Sequence, residues 1–299
     1  MGDISSEELD ELLQLAAKAK ASRGDFAGRL AGRSVAMIFE KPSARTRVSF
    51  EVAIFEAGGH SVVLSDAELQ MGRRESIDDV GRVLSRYVDA IVLRTFGQER
   101  LEFLAKAASV PVINALSDFE HPCQCLADLM TIREKKGDLA GLSLTYVGDG
   151  NNVANSLLLG GALAGMRVRV ATPPGFEPIP QVVTRAEEIA AKTGGGVSLF
   201  SDPEAATTGA DVLYTDVWAS MGQEQEAGER SLVFPAYRLD QEAVDRAAPD
   251  VIVLHCLPAH RGQEITDDVI DGPHSAVWDQ AENRLHTQKA LLLWLLGAA

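Results

Sequence analysis

Short apolar runs that alternate with amphipathic stretches constrain this chain more than any other feature. Residues 35–39, 61–64, 90–93 and 110–113 read as strands, and residues 48–57, 77–87 and 101–107 as helices. A second series repeats the rhythm, with strands at 142–147, 167–171, 211–215 and 251–254 and helices near 153–164, 182–191 and 241–247. Strands that are apolar throughout, without polar alternation, are those buried on both faces, as in a parallel sheet covered by helices. The expected fold class is therefore α/β, with two doubly wound domains that each hold a mostly parallel sheet. Gly137 is suited to ending a helix that begins around His121, which sets the expected domains at residues 1–137 and 138–278. Residues 279–296 read as a last amphipathic helix stopped by Gly297. Its leucine-rich end needs an apolar surface, so residues 279–299 are expected to pack back on the first domain. Ser5 and Glu8 have capping-box spacing, and the apolar residues Leu9, Leu12, Leu13, Ala16 and Ala17 that follow predict an opening helix.

With 299 residues, 46% of them hydrophobic, the chain can bury the cores of two ordinary domains. A net charge of -15 argues against nucleic acid and against anionic membranes as partners, because both demand a basic face. Any anionic ligand must find a local basic pocket, so Arg45, Arg47 and Arg94 stand out. No apolar run reaches the length of a membrane span, and the acidic start lacks an apolar signal region. Three cysteines, Cys123, Cys125 and Cys256, do not make a disulfide framework, and a reducing cytoplasm is the expected compartment.

In open parallel sheets, ligands bind beyond the carboxyl ends of the strands. Chemistry-bearing residues collect at those positions here. Ser43-Ala44-Arg45-Thr46-Arg47 follows the first strand, where a helix start can offer backbone N–H groups, hydroxyls and a guanidinium fork to phosphate. Arg94 ends the third strand, and His121-Pro122-Cys123-Gln124 follows the fourth. In the second series Gly148-Asp149-Gly150-Asn151-Asn152, Asp216 with Ser220-Met221-Gly222, and His255-Cys256-Leu257-Pro258 stand in the equivalent places. The first half thus supplies donors for a phosphate and a polarised carbonyl oxygen, and the second suits an amine or small zwitterion. Group transfer from an anionic electrophile to an amine is the chemistry this combination implies.

Competing readings are weaker on chemical grounds. His121, Cys123 and Cys125 at i, i+2 spacing splay apart on a helix and no second Cys/His pair follows, so no metal is expected. Adjacent strand residues point to opposite faces, so His255 is badly placed to deprotonate Cys256. Gly148 and Gly150 mimic half of a dinucleotide fingerprint, but its third glycine is absent. The acidic residues 224–229 read as a solvated connection or a lid.

These motifs, in this order and along the whole chain, resemble the aspartate/ornithine carbamoyltransferase family. The Ser-Met-Gly and His-Cys-Leu-Pro runs resemble its ornithine-using members. The resemblance implies a carbamoyl phosphate-binding first domain and an ornithine-binding second domain, with citrulline and phosphate as products and no cofactor. It implies that Ser43, Ala44, Arg45, Thr46 and Arg94 hold the phosphate, and that Arg94, Thr46, His121 and Gln124 address the carbamoyl group. Asn152, Asp216, Ser220 and Met221 would hold the amino-acid end of ornithine, Cys256 and Leu257 would stand near the reacting amine, and Arg284 near the carbonyl. Gln70 would be lent to a neighbouring subunit's site, which implies a homotrimer with active sites at subunit interfaces. One departure is Ala44, where the family leads us to expect threonine or methionine. A carbamoyltransferase for another amine, such as putrescine or an acylated ornithine, is the nearest alternative. A nicotinamide-dependent oxidoreductase and a non-catalytic binding protein are the alternatives from other classes.

Overall fold

The structure, a computed structural model, describes residues 1–219 and 227–299. The chain divides into two compact units, one of Asp10–Leu126 with Asn283–Ala299, the other of Met1–Leu9 with Ala127–Glu282.

The first unit is built on four parallel strands, β1 (Ser34–Phe39), β2 (His60–Ser65), β3 (Ala90–Arg94) and β4 (Val112–Leu116), in the order β2-β1-β3-β4. Side chains alternate across the pleat. Val35, Met37, Ala90, Val92, Ile113 and Ala115 join one core, while Ala36, Ile38, Ile91 and Leu93 join the other. Burial on both faces is why these strands carry no polar alternation. Leu292 and Leu293 from the helix Val277–Leu295 enter the first of these cores beside Phe50 and Ile54, so the end of the last helix does pack on the first sheet. Burying each leucine contributes about 1.5–3 kcal/mol. The fourth strand starts two residues later than its apolar run. Pro111 lacks an N–H for the ladder, and pairing begins at Val112.

Among its described residues the second unit holds five parallel strands, β5 (Ser143–Val147), β6 (Arg167–Ala171), β7 (Gly196–Phe200), β8 (Val212–Thr215) and β9 (Ile252–His255), in the order β7-β6-β5-β8-β9. Strand β7 is one more than the sequence reading found. It is an edge strand, half exposed, and it follows a glycine run that masks its pattern. Strands β5 and β8 are buried along their whole length. Val147, Leu213 and Val253 share a core with Trp218, Phe234, Tyr237 and Ile265. The helix Pro122–Lys136 stops at Gly137, whose φ of +88 is the left-handed conformation that glycine adopts freely.

Candidate active site

The order of each sheet locates its ligand crevice. In the first unit the chain leaves β1 for β2 on one side and then returns to β3 on the other, so the carboxyl ends of β1 and β3 flank a topological switch point. The helix Ala44–Glu56 starts just beyond β1. Sequence periodicity placed its start at residue 48, but Ser43 caps it earlier, its Oγ accepting the Thr46 N–H at 3.3 Å. Ala44, Arg45 and Thr46 therefore form the first helical turn, which leaves the N–H groups of Ala44 and Arg45 outside the helical ladder and available to an anion. Alanine at position 44 can contribute only its backbone.

Arg94, the last residue of β3, pairs in register with Phe39 of β1 and is buried. His121 is buried too. Burial first, then the positive charges of Arg284, Arg94 and Arg45, hold its pKa well below the usual imidazole value. The imidazole is therefore neutral near pH 7, able to donate to a carbonyl oxygen without charge of its own. Arg284 donates to Gln124 Oε1 at 2.7 Å and to Thr46 Oγ1 at 3.2 Å, and Ser43 Oγ donates to Thr46 Oγ1 at 3.0 Å. The structure thus gathers Ser43, Thr46, Gln124 and Arg284 by hydrogen bonds, and Arg45, Arg94 and His121 by electrostatic proximity. Cys123, beside His121, is buried with its thiol pushed up to about 11, so it stays protonated. Gln70 stands exposed on a separate loop, in left-handed conformation (φ +45) at the end of the short helix Asp66–Leu69.

In the second unit, β5 sits between β6 and β8, and the crevice lies at the ends of β5 and β8. Asn151 caps the helix Asn152–Leu163, its Oδ1 accepting the N–H groups of Val153 at 2.9 Å and Ala154 at 3.2 Å. The Asn151 Nδ2 donates to Asp216 Oδ2 at 2.9 Å, bridging the switch point. Asp216 Oδ1 accepts from the Cys256 thiol at 2.9 Å and from the Val217 N–H at 2.8 Å. Asp216 and Cys256 are thus in direct contact, with Leu257 next in the chain and Asn152 partly buried beside the cap. Ser220 and Met221, and residues 224–226 of the acidic stretch, lie outside the described residues.

Asp216, His255 and Cys256 bring one ligand atom each to within 4.8 Å of one another, the spacing of a metal site. The imidazole is already committed: His255 Nε2 faces Glu264 Oε1 at 3.2 Å and Nδ1 accepts the Leu257 N–H at 2.8 Å. The same commitment rules His255 out as a base for Cys256.

Sequence reasoning missed several groups. In the sequence Asn151 stands out only as part of the Gly148–Asn152 motif, although an asparagine directly before a helical run is a capping signal. Arg230 makes a buried ion pair with Asp149 at 2.8 Å and lies over the Phe176 ring at 4.9 Å, a partnership of distant residues that no local pattern announces. Arg100 donates to the Glu40 carboxylate and to the Met71 carbonyl at 2.6 Å, tying the Gln70 loop to the end of β1. Lys41 is buried against Phe96, 4.4 Å from the ring centroid, and pairs with Asp118.

The family model described as "Aspartate/ornithine carbamoyltransferase, carbamoyl-P binding domain" matches residues 1–134, and that for the "Asp/Orn binding domain" matches residues 140–295. An ornithine carbamoyltransferase of Parafrankia sp. is 63% identical over 297 residues, covering 98% of this chain and 94% of that protein. One from Acidothermus cellulolyticus is 60% identical over 299 residues, covering 99% of this chain and 95% of that protein. The solved ornithine carbamoyltransferase of Pyrococcus furiosus superposes with a TM-score of 0.96 at 54% identity, covering 99% of this chain and 95% of that one. The chain belongs to the aspartate/ornithine carbamoyltransferase family.

Proposed function

We propose that the protein transfers the carbamoyl group from carbamoyl phosphate to the side-chain amine of L-ornithine, giving L-citrulline and phosphate. One observation carries this reading: the helix start at Ser43–Arg47 and the groups of Arg94, His121, Gln124 and Arg284 gather at the β1/β3 switch point. Residues 1–137, with residues 279–299, form the carbamoyl phosphate-binding domain, and residues 138–278 the ornithine-binding domain. Ser43, Ala44, Arg45, Thr46 and Arg94 hold the phosphate; Arg94, Thr46, His121 and Gln124 address the carbamoyl group, with Arg284 near its carbonyl. Asn152, Asp216, Ser220 and Met221 hold the amino-acid end of ornithine, and Cys256 and Leu257 flank the attacking nitrogen.

The chemistry needs no cofactor. Carbamoyl phosphate is an activated mixed anhydride, and phosphate is a good leaving group once its charge is neutralised. The protein's tasks are to stabilise the oxyanion that develops on the carbamoyl oxygen and to bring the neutral amine within about 3–3.5 Å of the carbon. His121, neutral and buried, supplies an N–H donor that carries no charge of its own.

The enzyme works as a homotrimer to which Gln70 contributes across subunits, in the cytoplasm, within arginine biosynthesis. Phe55, Tyr87 and Phe103 are exposed on the first unit, which supports an assembly that covers them, and among the described residues no helix is long and apolar enough to cross a membrane. The decisive experiment is citrulline formation from carbamoyl phosphate with a panel of acceptors. Ornithine should exceed putrescine and acylated ornithine by orders of magnitude, whereas a preference for either of those would move the acceptor assignment. Sedimentation of the purified protein tests the trimer.

A further inference from the structure

We propose that His255 and Glu264 form a buried positioning couple that fixes the backbone of Leu257 and, through it, the aim of Cys256 at the acceptor amine. The proposal rests on the ornithine reading of the second unit and deepens it. Neither residue belongs to the set that touches substrate.

Both side chains are fully buried. The Leu257 N–H donates to His255 Nδ1 at 2.8 Å, which leaves that nitrogen bare and puts the ring proton on Nε2, facing Glu264 Oε1 at 3.2 Å. The tautomer is set by the carboxylate. Leu257 needs such a constraint because its φ of +59 lies in the left-handed region, which a bulky side chain rarely enters. Conformations of this kind persist where the surroundings over-determine them, and they concentrate at functional sites.

The constraint is anchored from several sides. Glu264 Oε1 also accepts the His260 N–H at 2.5 Å, so one carboxylate oxygen holds both ends of the 255–260 segment. The His255 N–H donates to Gln280 Oε1 at 2.9 Å, and Gln280 Nε2 is held in turn by Asp128 at 2.7 Å and the Tyr214 hydroxyl at 3.1 Å. Between these fixed points stands Cys256, whose thiol donates to Asp216. Glu264 Oε2 has no hydrogen-bond partner among the described residues, and His260 Nδ1 stands 4.0 Å from it. A wholly buried, half-satisfied carboxylate is costly as mere packing. Its use as an acceptor that selects one imidazole tautomer accounts for its presence.

The test compares Glu264→Gln, Leu257→Gly and the double variant with the wild type. In Glu264→Gln the amide nitrogen can face the ring, which favours the other tautomer and sets an N–H against the Leu257 N–H. The ornithine KM should rise by about ten-fold or more, the loss expected for a hydrogen bond to a charged group. Carbamoyl phosphate affinity, governed by the other unit, should stay unchanged. Glycine adopts φ near +59 unaided, so Leu257→Gly should make Glu264→Gln less damaging than it is in the parent. Nitrogen-15 imidazole spectra of the wild type, with the His255 signal assigned by its loss in His255→Asn, should show Nδ1 bare and Nε2 protonated. Strictly additive substitutions, equal losses for both substrates, or a proton on Nδ1 would each overturn the proposal. The spectrum needs no turnover, so it separates failure of this couple from failure of the ornithine reading.

Discussion

The Arg284 guanidinium donates to Gln124 Oε1 at 2.7 Å, joining residues 160 positions apart, while its other arm reaches Thr46 Oγ1 at 3.2 Å. A planar fork makes both contacts at once, whereas a lysine ammonium is a point charge on a flexible stem. Replacing Arg284 by alanine should lower turnover by about 10²–10³-fold, the usual loss for one transition-state donor. Arg284→Lys should recover little of it. Steady-state kinetics at saturating carbamoyl phosphate checks this, and near wild-type turnover in Arg284→Lys would show that charge alone is required.

Arg45 and Arg94 should separate chemistry from stability. Arg45 is exposed and Arg94 is buried at the end of β3. Arg45→Ala should therefore lose about 10²–10³-fold in turnover while melting as the wild type does, whereas Arg94→Ala loses both activity and stability. Alanine at position 44 offers only a backbone N–H at the helix start, so Ala44→Thr should leave carbamoyl phosphate affinity within about two-fold. A marked gain in affinity would mean that a side-chain hydroxyl is wanted there.

His121 gives the fold a pH dependence with a defined sign. Its pKa in the folded protein is depressed by burial and by Arg284, Arg94 and Arg45, while in the unfolded chain it sits near the reference of about 6.5. Below that pH the unfolded state takes up a proton that the native state refuses. The stability contribution is thus full above about pH 6.5 and is lost progressively as pH falls. Melting temperatures from pH 8 down to 5 should decline, and His121→Asn should decline less steeply. Parallel curves for the two proteins would mean that His121 does not titrate in this way.

How much of this was legible in the sequence depends on range. The two strand series, the strand-end clusters and the last helix were legible because each is written locally, as an apolar run or as a polar cluster directly after one. Val35 through Phe39 predicts a strand whatever lies elsewhere. Strand β7 was hidden because an edge strand such as Gly196–Phe200 needs no continuous apolar run. Asn151, Arg230, Arg100 and Glu264 were hidden for another reason. Asn151, Arg230 and Arg100 act through partners distant in sequence, Asp216, Asp149 and Glu40 respectively, and Glu264 through a geometry with His255 that appears only once the chain has folded.

Arg100 illustrates what such a hidden residue should do. Its guanidinium spans Glu40, at the end of β1, and the Met71 carbonyl, next to Gln70. Arg100→Met should destabilise the protein by about 1–3 kcal/mol, because it leaves the largely buried Glu40 carboxylate short of a partner. It should also loosen the Gln70 loop, so limited proteolysis should cut near residues 69–75 faster than in the wild type. Unchanged cleavage would confine the role of Arg100 to the Glu40 pair.

The last expectation concerns the acceptor. The side-chain amine of ornithine titrates near a lysine, at about pKa 10.4, and only its neutral form can attack the carbamoyl carbon. At pH 7 forming it costs about 4–5 kcal/mol. The contact between Cys256 and Asp216 offers this amine a carboxylate already engaged by a thiol and by the Asn151 amide, so the carboxylate is less free to hold an ammonium. Selection of the neutral amine then makes kcat/KM for ornithine rise about ten-fold per pH unit from pH 7 toward pH 9, following the fraction of neutral substrate. Cys256→Ala should free Asp216 to pair with the charged form, lowering ornithine KM near pH 7, where that form dominates, and flattening that slope. A flat profile in the wild type would rule out direct attack by an amine bound neutral, and an unchanged slope in Cys256→Ala would take the thiol out of the selection.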